Sequence, residues 1–186
     1  DRFRLLKGGD PTAMPRHRTL RAAIDWSHDL LAPPEQALLR RLSVFAGGFV
    51  LDGAEAVGAC GEVPANDVLD LLGQLVDRSL ATLDAGTGRY RLLETVRQYA
   101  QERLADAGEE TSARDAHLRY YVALAQHAGP ELSGPREEQW RARLDAEREN
   151  IQLAHAHCRA AHAGGEAAFI LIYTLADVGS IGGGWL

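Results

Sequence analysis

Three adjacent residues, Ser27-His28-Asp29, carry the side-chain types of a hydrolytic triad. A triad needs its hydroxyl, imidazole and carboxylate to converge in space, whereas consecutive helical residues point about 100° apart. Adjacency therefore argues against catalysis. His155, Cys158 and His162 share a helical face at i, i+3 and i+7, with His157 beside them, and imidazole plus thiolate suits a soft metal. No fourth ligand accompanies them, so solvated histidines beside a half-buried cysteine are expected. The sequence holds no GxxxxGK[ST], GxSxG, HExxH or CxxC. Gly47-Gly48-Phe49 and Gly182-Gly183-Gly184 lack the lysine that would hold phosphates. The expectation is a non-enzyme with no metal and no cofactor of its own.

Charge offers a second kind of chemistry. The chain is −6 overall, but residues 1–50 sum to +3, 51–110 to −7 and 111–186 to −2. The middle third should repel a phosphate backbone. Within it a predicted helix over 67–79 presents Asp67, Asp70, Gln74, Asp77 and Arg78, a poor set for reading bases or phosphates. Arg89, Arg91 and Arg97 are the exception. They could touch phosphates, but pairing with Glu94, Glu102 or a neighbouring domain is the expected outcome.

The elements that position these residues are mostly helices. Residues 1–17, with Gly8, Gly9, Pro11 and Pro15, read as a linker or the tail of an upstream domain. A helix over about 18–31 follows, with Leu20, Ile24, Ser27 and Leu31 on one face. Pro33-Pro34 opens a second helix that buries Leu38, Leu39, Leu42 and Phe45, stopped by Gly47-Gly48. Trp26 and Phe45 are both expected in the core. Phe49–Val50 is a short extended piece before a third helix at about 52–59. Asn66 reads as the N-cap of the fourth helix, whose stripe is Val68, Leu69, Leu72, Leu75, Val76 and Leu80. Leu80–Asp84 and Arg89–Leu93 flank a glycine turn as a hairpin. A fifth helix spans about 94–106. Alternation aims Tyr90 and Leu92 at the core and leaves Leu93 on a charged face. There Leu93 either packs under the fifth helix or meets another domain.

This order, helix, helix, short strand, helix, helix, hairpin, is that of a winged helix-turn-helix over residues 18–107. Residues 108–186 read as antiparallel helical pairs. Leu118, Tyr121, Val122 and Ala125 form one face; Gly129, Pro130, Gly134 and Pro135 form a break. Trp140, Leu144, Glu147, Ile151, Ala154 and Cys158 continue at alternating spacings of 4 and 3. A last helix spans about 166–177. Stacked pairs need further neighbours, so the array is expected to continue past residue 186. The fold class is mainly α.

Three segments carry a resemblance: Thr19–Leu31, Leu38–Phe49, and Leu75–Leu80 with Tyr90–Ala100. Together they resemble the winged-helix region of actinobacterial STAND ATPases, the AfsR-like and LuxR-like transcriptional regulators. In that family the region follows an NB-ARC nucleotide-binding domain and precedes a tetratricopeptide-like sensor array. The resemblance implies a non-catalytic regulatory module that docks on an NB-ARC domain, in cis or in trans. It places ATP or ADP in that missing domain and further sensor helices downstream, with no direct DNA contact here. It also implies that the family's Met-His-Asp motif falls on Leu92, Leu93 and Glu94, with Arg97 close by. Leucine replaces the histidine, and leucine cannot hydrogen-bond a phosphate. Two isolated cysteines, no secretory signal and no apolar run long enough for a bilayer give a cytoplasmic expectation without membrane contact. A sequence-specific DNA-binding module and a helical protein-interaction module are the rival readings.

Overall fold

In the computed structural model, residues 13–160 and 165–179 are described. Helix α1 runs Ala13–Asp29, α2 Pro33–Leu42, α3 Leu51–Gly58 and α4 Val68–Asp77. Strands β1 (Ala81–Asp84) and β2 (Arg89–Leu92) follow, then α5 (Glu94–Asp106). The remainder is helical: α6 Glu110–Glu131, α7 Glu137–Ala146, α8 Arg148–Ala160 and α9 Gly165–Gly179.

Helix α1 begins ahead of its expected start at residue 18, since Pro15 falls in the first turn, where no N–H is needed. Its buried side is the Ile24–Leu31 side, which meets α5 through a 2.6 Å bond from Arg21 to Glu102 and the edge of His28 on Tyr99. Trp26 lies about 200° around the helix from Ile24. It is therefore 68% exposed, not a core residue, and Leu20, Ala23 and Leu30 share its exposed side.

Pro33 and Pro34 open α2, and Glu35 reaches back to the N–H of Ala32. The helix ends at Leu42, short of the glycine pair, because the Ser43 hydroxyl donates to the Arg40 carbonyl at 2.6 Å and turns the chain. Phe45 and Phe49 then enter the core. Phe49 exchanges backbone hydrogen bonds with Tyr90, so the extended piece joins the hairpin as a single bridge beside β2. Strands β1 and β2 pair antiparallel from Ala81↔Leu92 to Asp84↔Arg89. Asn66 does not cap α4. It lies in a 3-10 turn, Ala65–Asp67, opened by Pro64, and Asp67 takes the cap position without a side-chain bond.

Helices α4 and α5 end alike. The N–H of Leu80 reaches Leu75 and that of Ser79 reaches Val76; Glu109 reaches Leu104 and Gly108 reaches Ala105. Both are Schellman turns with a left-handed residue after the cap. Gly108 has φ +69°, while Ser79 carries a side chain at φ +60°. Ser79→Gly is therefore expected to raise stability by up to about 1 kcal/mol. Thermal and urea unfolding would show it, and an unchanged midpoint would remove strain from this turn.

The helical region packs on the same core. Tyr121 of α6 and Phe45 meet edge to face, and Gly53 of α3 lets the Tyr120 ring approach its backbone. Helix α6 continues through Gly129 and Pro130 to Glu131, so the predicted break falls later, before α7. The register from Trp140 to Cys158 is buried, and Cys158, expected to be half-buried, is 2% exposed. This register is carried by two helices, α7 and α8, that meet at Glu147.

Candidate interdomain interface

The exposed side of α4 is acidic. Asp70, Gln74 and Asp77 face solvent, with Asp67 at the start and Leu69 half exposed beside them. Arg78, the one cation of this stretch, sits 3.4 Å from the buried carboxylate of Glu35. That carboxylate also accepts the N–H of Ala32. The helix that a winged domain would insert in a groove thus offers carboxylates to solvent, and its arginine is turned toward α2.

The three wing arginines separate. Arg97 bonds Glu94 at 3.0 Å within α5. Arg89 is bound to Glu147 of the helical region and also donates to the carbonyls of Gly48 and Ala146. Arg91 alone of the three makes no ion pair among the described residues. Glu102, a predicted partner, is taken by Arg21 instead. One free guanidinium on the wing is a small phosphate-binding capacity.

The residues singled out at the end of the wing divide similarly. Tyr90 and Leu92 face the core, as alternation requires. Leu93 precedes α5 with an extended backbone, φ −60° and ψ 142°, and its carbonyl receives the N–H of Arg97. Its side chain is 52% exposed, which rules out packing under α5. Leu93 and Glu94 are exposed, with the half-buried Arg97 paired to Glu94 beside them, and Leu92 is not part of this edge.

The strongest polar construction in the molecule lies where the wing meets the helical region. Glu147, the single residue between α7 and α8, is buried. It receives Arg89, the Tyr121 hydroxyl at 2.7 Å and the Asn150 amide at 2.9 Å. Asn150 also donates to the Gly48 carbonyl at 2.8 Å and accepts the N–H of Ala46 at 2.7 Å. Burial and the adjacent Glu147 charge hold the Tyr121 hydroxyl well above its ordinary pKa. Burial is the largest single influence on Arg89 and lowers its pKa, but the hydrogen bond to Glu147 and the Glu147 charge together outweigh it and hold Arg89 above its ordinary value. Burial pushes His117, packed against Phe45 and Tyr121, down to about 4, so it is neutral near pH 7.

Gly47 and Gly48 pass between these groups with φ of +69° and +107°. A Cβ on Gly47 would lie 2.8 Å from Glu149, and one on Gly48 would lie 2.8 Å from the Tyr90 carbonyl. The glycine pair therefore serves close approach to both the wing and α8, beyond ending a helix. The sequence reading did not find this joint. Its one visible signal was Glu147, a carboxylate in an otherwise apolar register.

A second polar cluster fixes the turn between α5 and α6. Glu109 bonds Arg40 at 2.9 Å and Arg41 at 3.0 Å, while Arg41 also donates to the carbonyls of Gly58 and Cys60. The hydrogen bond from Arg40 leads the causes that hold the Glu109 carboxyl down to about 2, against an ordinary 4.5. A depressed carboxylate stabilises the fold above its unfolded pKa, and that contribution is lost as pH falls from about 4.5 toward 2. Glu109→Gln should cost about 2 kcal/mol at pH 7 and flatten the stability profile in that window. Unfolding of both proteins at several pH values tests this, and parallel profiles would contradict it.

Among the described residues the other candidate clusters do not assemble. His28 and Asp29 lie 3.8 Å apart, and His28 packs on Tyr99. Cys158 is buried, His157 pairs with Asp115 at 2.8 Å, and His162 lies outside the described residues. Among the described residues no group of three metal-ligating side chains comes together, and no helix is long and apolar enough to cross a membrane.

Comparison with known proteins agrees with the element order. Residues 31–105 match a family model described as a winged helix-turn-helix domain. A Mycobacterium tuberculosis protein named "Putative HTH-type transcriptional regulator" is 47% identical over 165 residues, covering 86% of this chain and 18% of that protein. A Mycobacterium bovis protein of the same description matches equally. An uncharacterized Mycobacterium tuberculosis protein is 50% identical over 112 residues, 59% of this chain and 28% of its own length. The chain thus spans less than a third of these relatives. No solved structure matches it. With α2, the Phe49 bridge, α3, α4 and the β1–β2 hairpin in order, residues 31–105 are a winged helix-turn-helix domain, in a chain homologous to proteins named as HTH-type transcriptional regulators.

Proposed function

We propose that this chain is a non-catalytic relay of a STAND-type signalling ATPase and transcriptional regulator, docking on an NB-ARC domain and linking it to a sensor array. The observation that carries this reading is the acidic, solvent-facing side of α4, the helix a DNA reader would insert. Non-specific DNA affinity comes from cations that neutralise phosphates, and the wing adds only Arg91. Surfaces for protein partners are present instead. Leu20, Ala23 and Trp26 on α1 and Leu30 just beyond it are exposed apolar residues, and Leu93 with Glu94 forms an exposed edge. Phe169, Ile172 and Tyr173 leave α9 open to a further helix. Most of the homologous regulator lies outside the matched segment, which leaves room for both neighbours. The nucleotide belongs to the NB-ARC domain, and the setting is cytoplasmic.

The name of the relatives favours a second reading, direct DNA binding. One selection experiment on random duplex DNA separates the two. The expected result is no enriched motif and weak, salt-dependent binding with Kd of about 10⁻⁴ to 10⁻⁶ M. One enriched motif at nanomolar affinity would overturn the relay and establish the reader. The docking part further requires an NB-ARC partner, in cis or in trans; a reading frame with no P-loop domain ahead of residue 1, together with no binding to a separate NB-ARC domain, overturns it.

A further inference from the structure

We propose that Glu147 is the point through which the helical region reports its arrangement to the wing. The proposal rests on the relay reading and names the coupling element within it. Glu147 is the single residue between α7 and α8, with φ −100° and ψ 4°, and both helices are bonded to it. Its N–H donates to the Leu144 carbonyl, and its carbonyl accepts the N–H of Ile151 at 2.9 Å. A change of angle between α7 and α8 therefore moves this carboxylate directly.

Its partners come from different parts of the chain. Arg89 is on β2, in register with Asp84 across the hairpin. Tyr121 is on α6 and Asn150 on α8. The arginine carries the displacement into the hairpin. Asn150 carries it into the Ala46–Gly48 turn, which leads to Phe49 and so to Tyr90 on the same strand.

The chemistry suits a two-state contact. A buried ion pair adds little net stability over apolar packing, but losing one partner is costly. The network is therefore satisfied in one arrangement and strongly penalised in partial ones. A second route exists through the aromatic rings of Phe45, His117 and Tyr121, and the test must separate it from the polar one.

Coupling is measured by disturbing α7 away from the joint and reading the wing. Trp140 is buried on α7, against His127. In the 186-residue chain, Trp140→Phe should loosen α7 and α8 and raise amide exchange in β1 and β2 about fivefold or more. With Glu147→Gln, which keeps the shape but removes the charge, the same change should loosen α7 and α8 and leave the wing as it was. Arg89→Lys, which keeps the charge but loses the fork, should also cut the response and serves if Glu147→Gln does not fold. Leu144→Ala replaces Trp140→Phe if the latter loosens nothing. An equal wing response in every background assigns the coupling to the aromatic route and overturns the proposal. No wing response in the parent chain, with α7 and α8 loosened, overturns it too. The relay reading fails separately: a nanomolar DNA motif with coupling intact sinks the relay and leaves the joint standing.

Discussion

Truncating Phe45 to alanine should cost about 3–5 kcal/mol, whereas the same truncation at Trp26 should leave the melting temperature nearly unchanged. The two aromatics lie nineteen positions apart, Trp26 on α1 and Phe45 in the turn after α2, and composition does not distinguish them. Phe45 is 2% exposed and meets Phe49 at 4.8 Å, His117 at 5.0 Å and Tyr121 at 6.3 Å between ring centroids. Its removal opens a cavity between the winged domain and α6. Trp26 projects from α1 into solvent. Thermal unfolding of both variants checks this, and similar losses at the two sites would show that α1 is rotated relative to this description.

Arg89→Met should cost a comparable 3–5 kcal/mol, because it strands the Glu147 carboxylate in the interior. Tyr121 and Asn150 still donate to that carboxylate, but neither brings a positive charge. The double change Arg89→Met with Glu147→Leu should recover only part of the loss: the stranded charge is gone, but the Tyr121 hydroxyl and one Asn150 amide proton lose their acceptor. A double-mutant cycle in urea gives both numbers. A single variant as stable as the parent would mean that water reaches Glu147 and that the joint is not closed.

These two cases also show what the sequence could reveal. Element order was legible because it rests on local signals: Pro33-Pro34, the glycines of the hairpin turn, Gly108 and the apolar stripe of α4. The fifth helix and the hairpin came out almost to the residue for that reason. The inward aim of Tyr90 and Leu92 followed from alternation alone. Trp26 was misplaced because α1 is short of apolar residues and offers more than one plausible stripe. Only the position of α5, fixed by Arg21–Glu102 and His28–Tyr99, selects the buried side. Asn66 failed differently: Pro64 had already started a tighter turn. The joint was out of reach because its members are separated by as many as 104 residues, and no periodicity links Arg89 to Glu147. Leu93 was legible as an anomaly, but only its backbone angles show that it turns outward.

The separation between Arg89 and Glu147 also sets an order of events during synthesis. They stand 58 positions apart. At a translation rate of about 5–20 residues per second, roughly 3–12 s pass between making the wing and making its buried partner. Through that interval α2 to α5 can collapse on local contacts, while the Arg89 guanidinium waits for Glu147, the Ala46 N–H for the Asn150 side-chain carbonyl oxygen, and the Gly48 carbonyl for the Asn150 amide. A nascent chain halted between β2 and α8 would present this unfinished surface to chaperones and proteases.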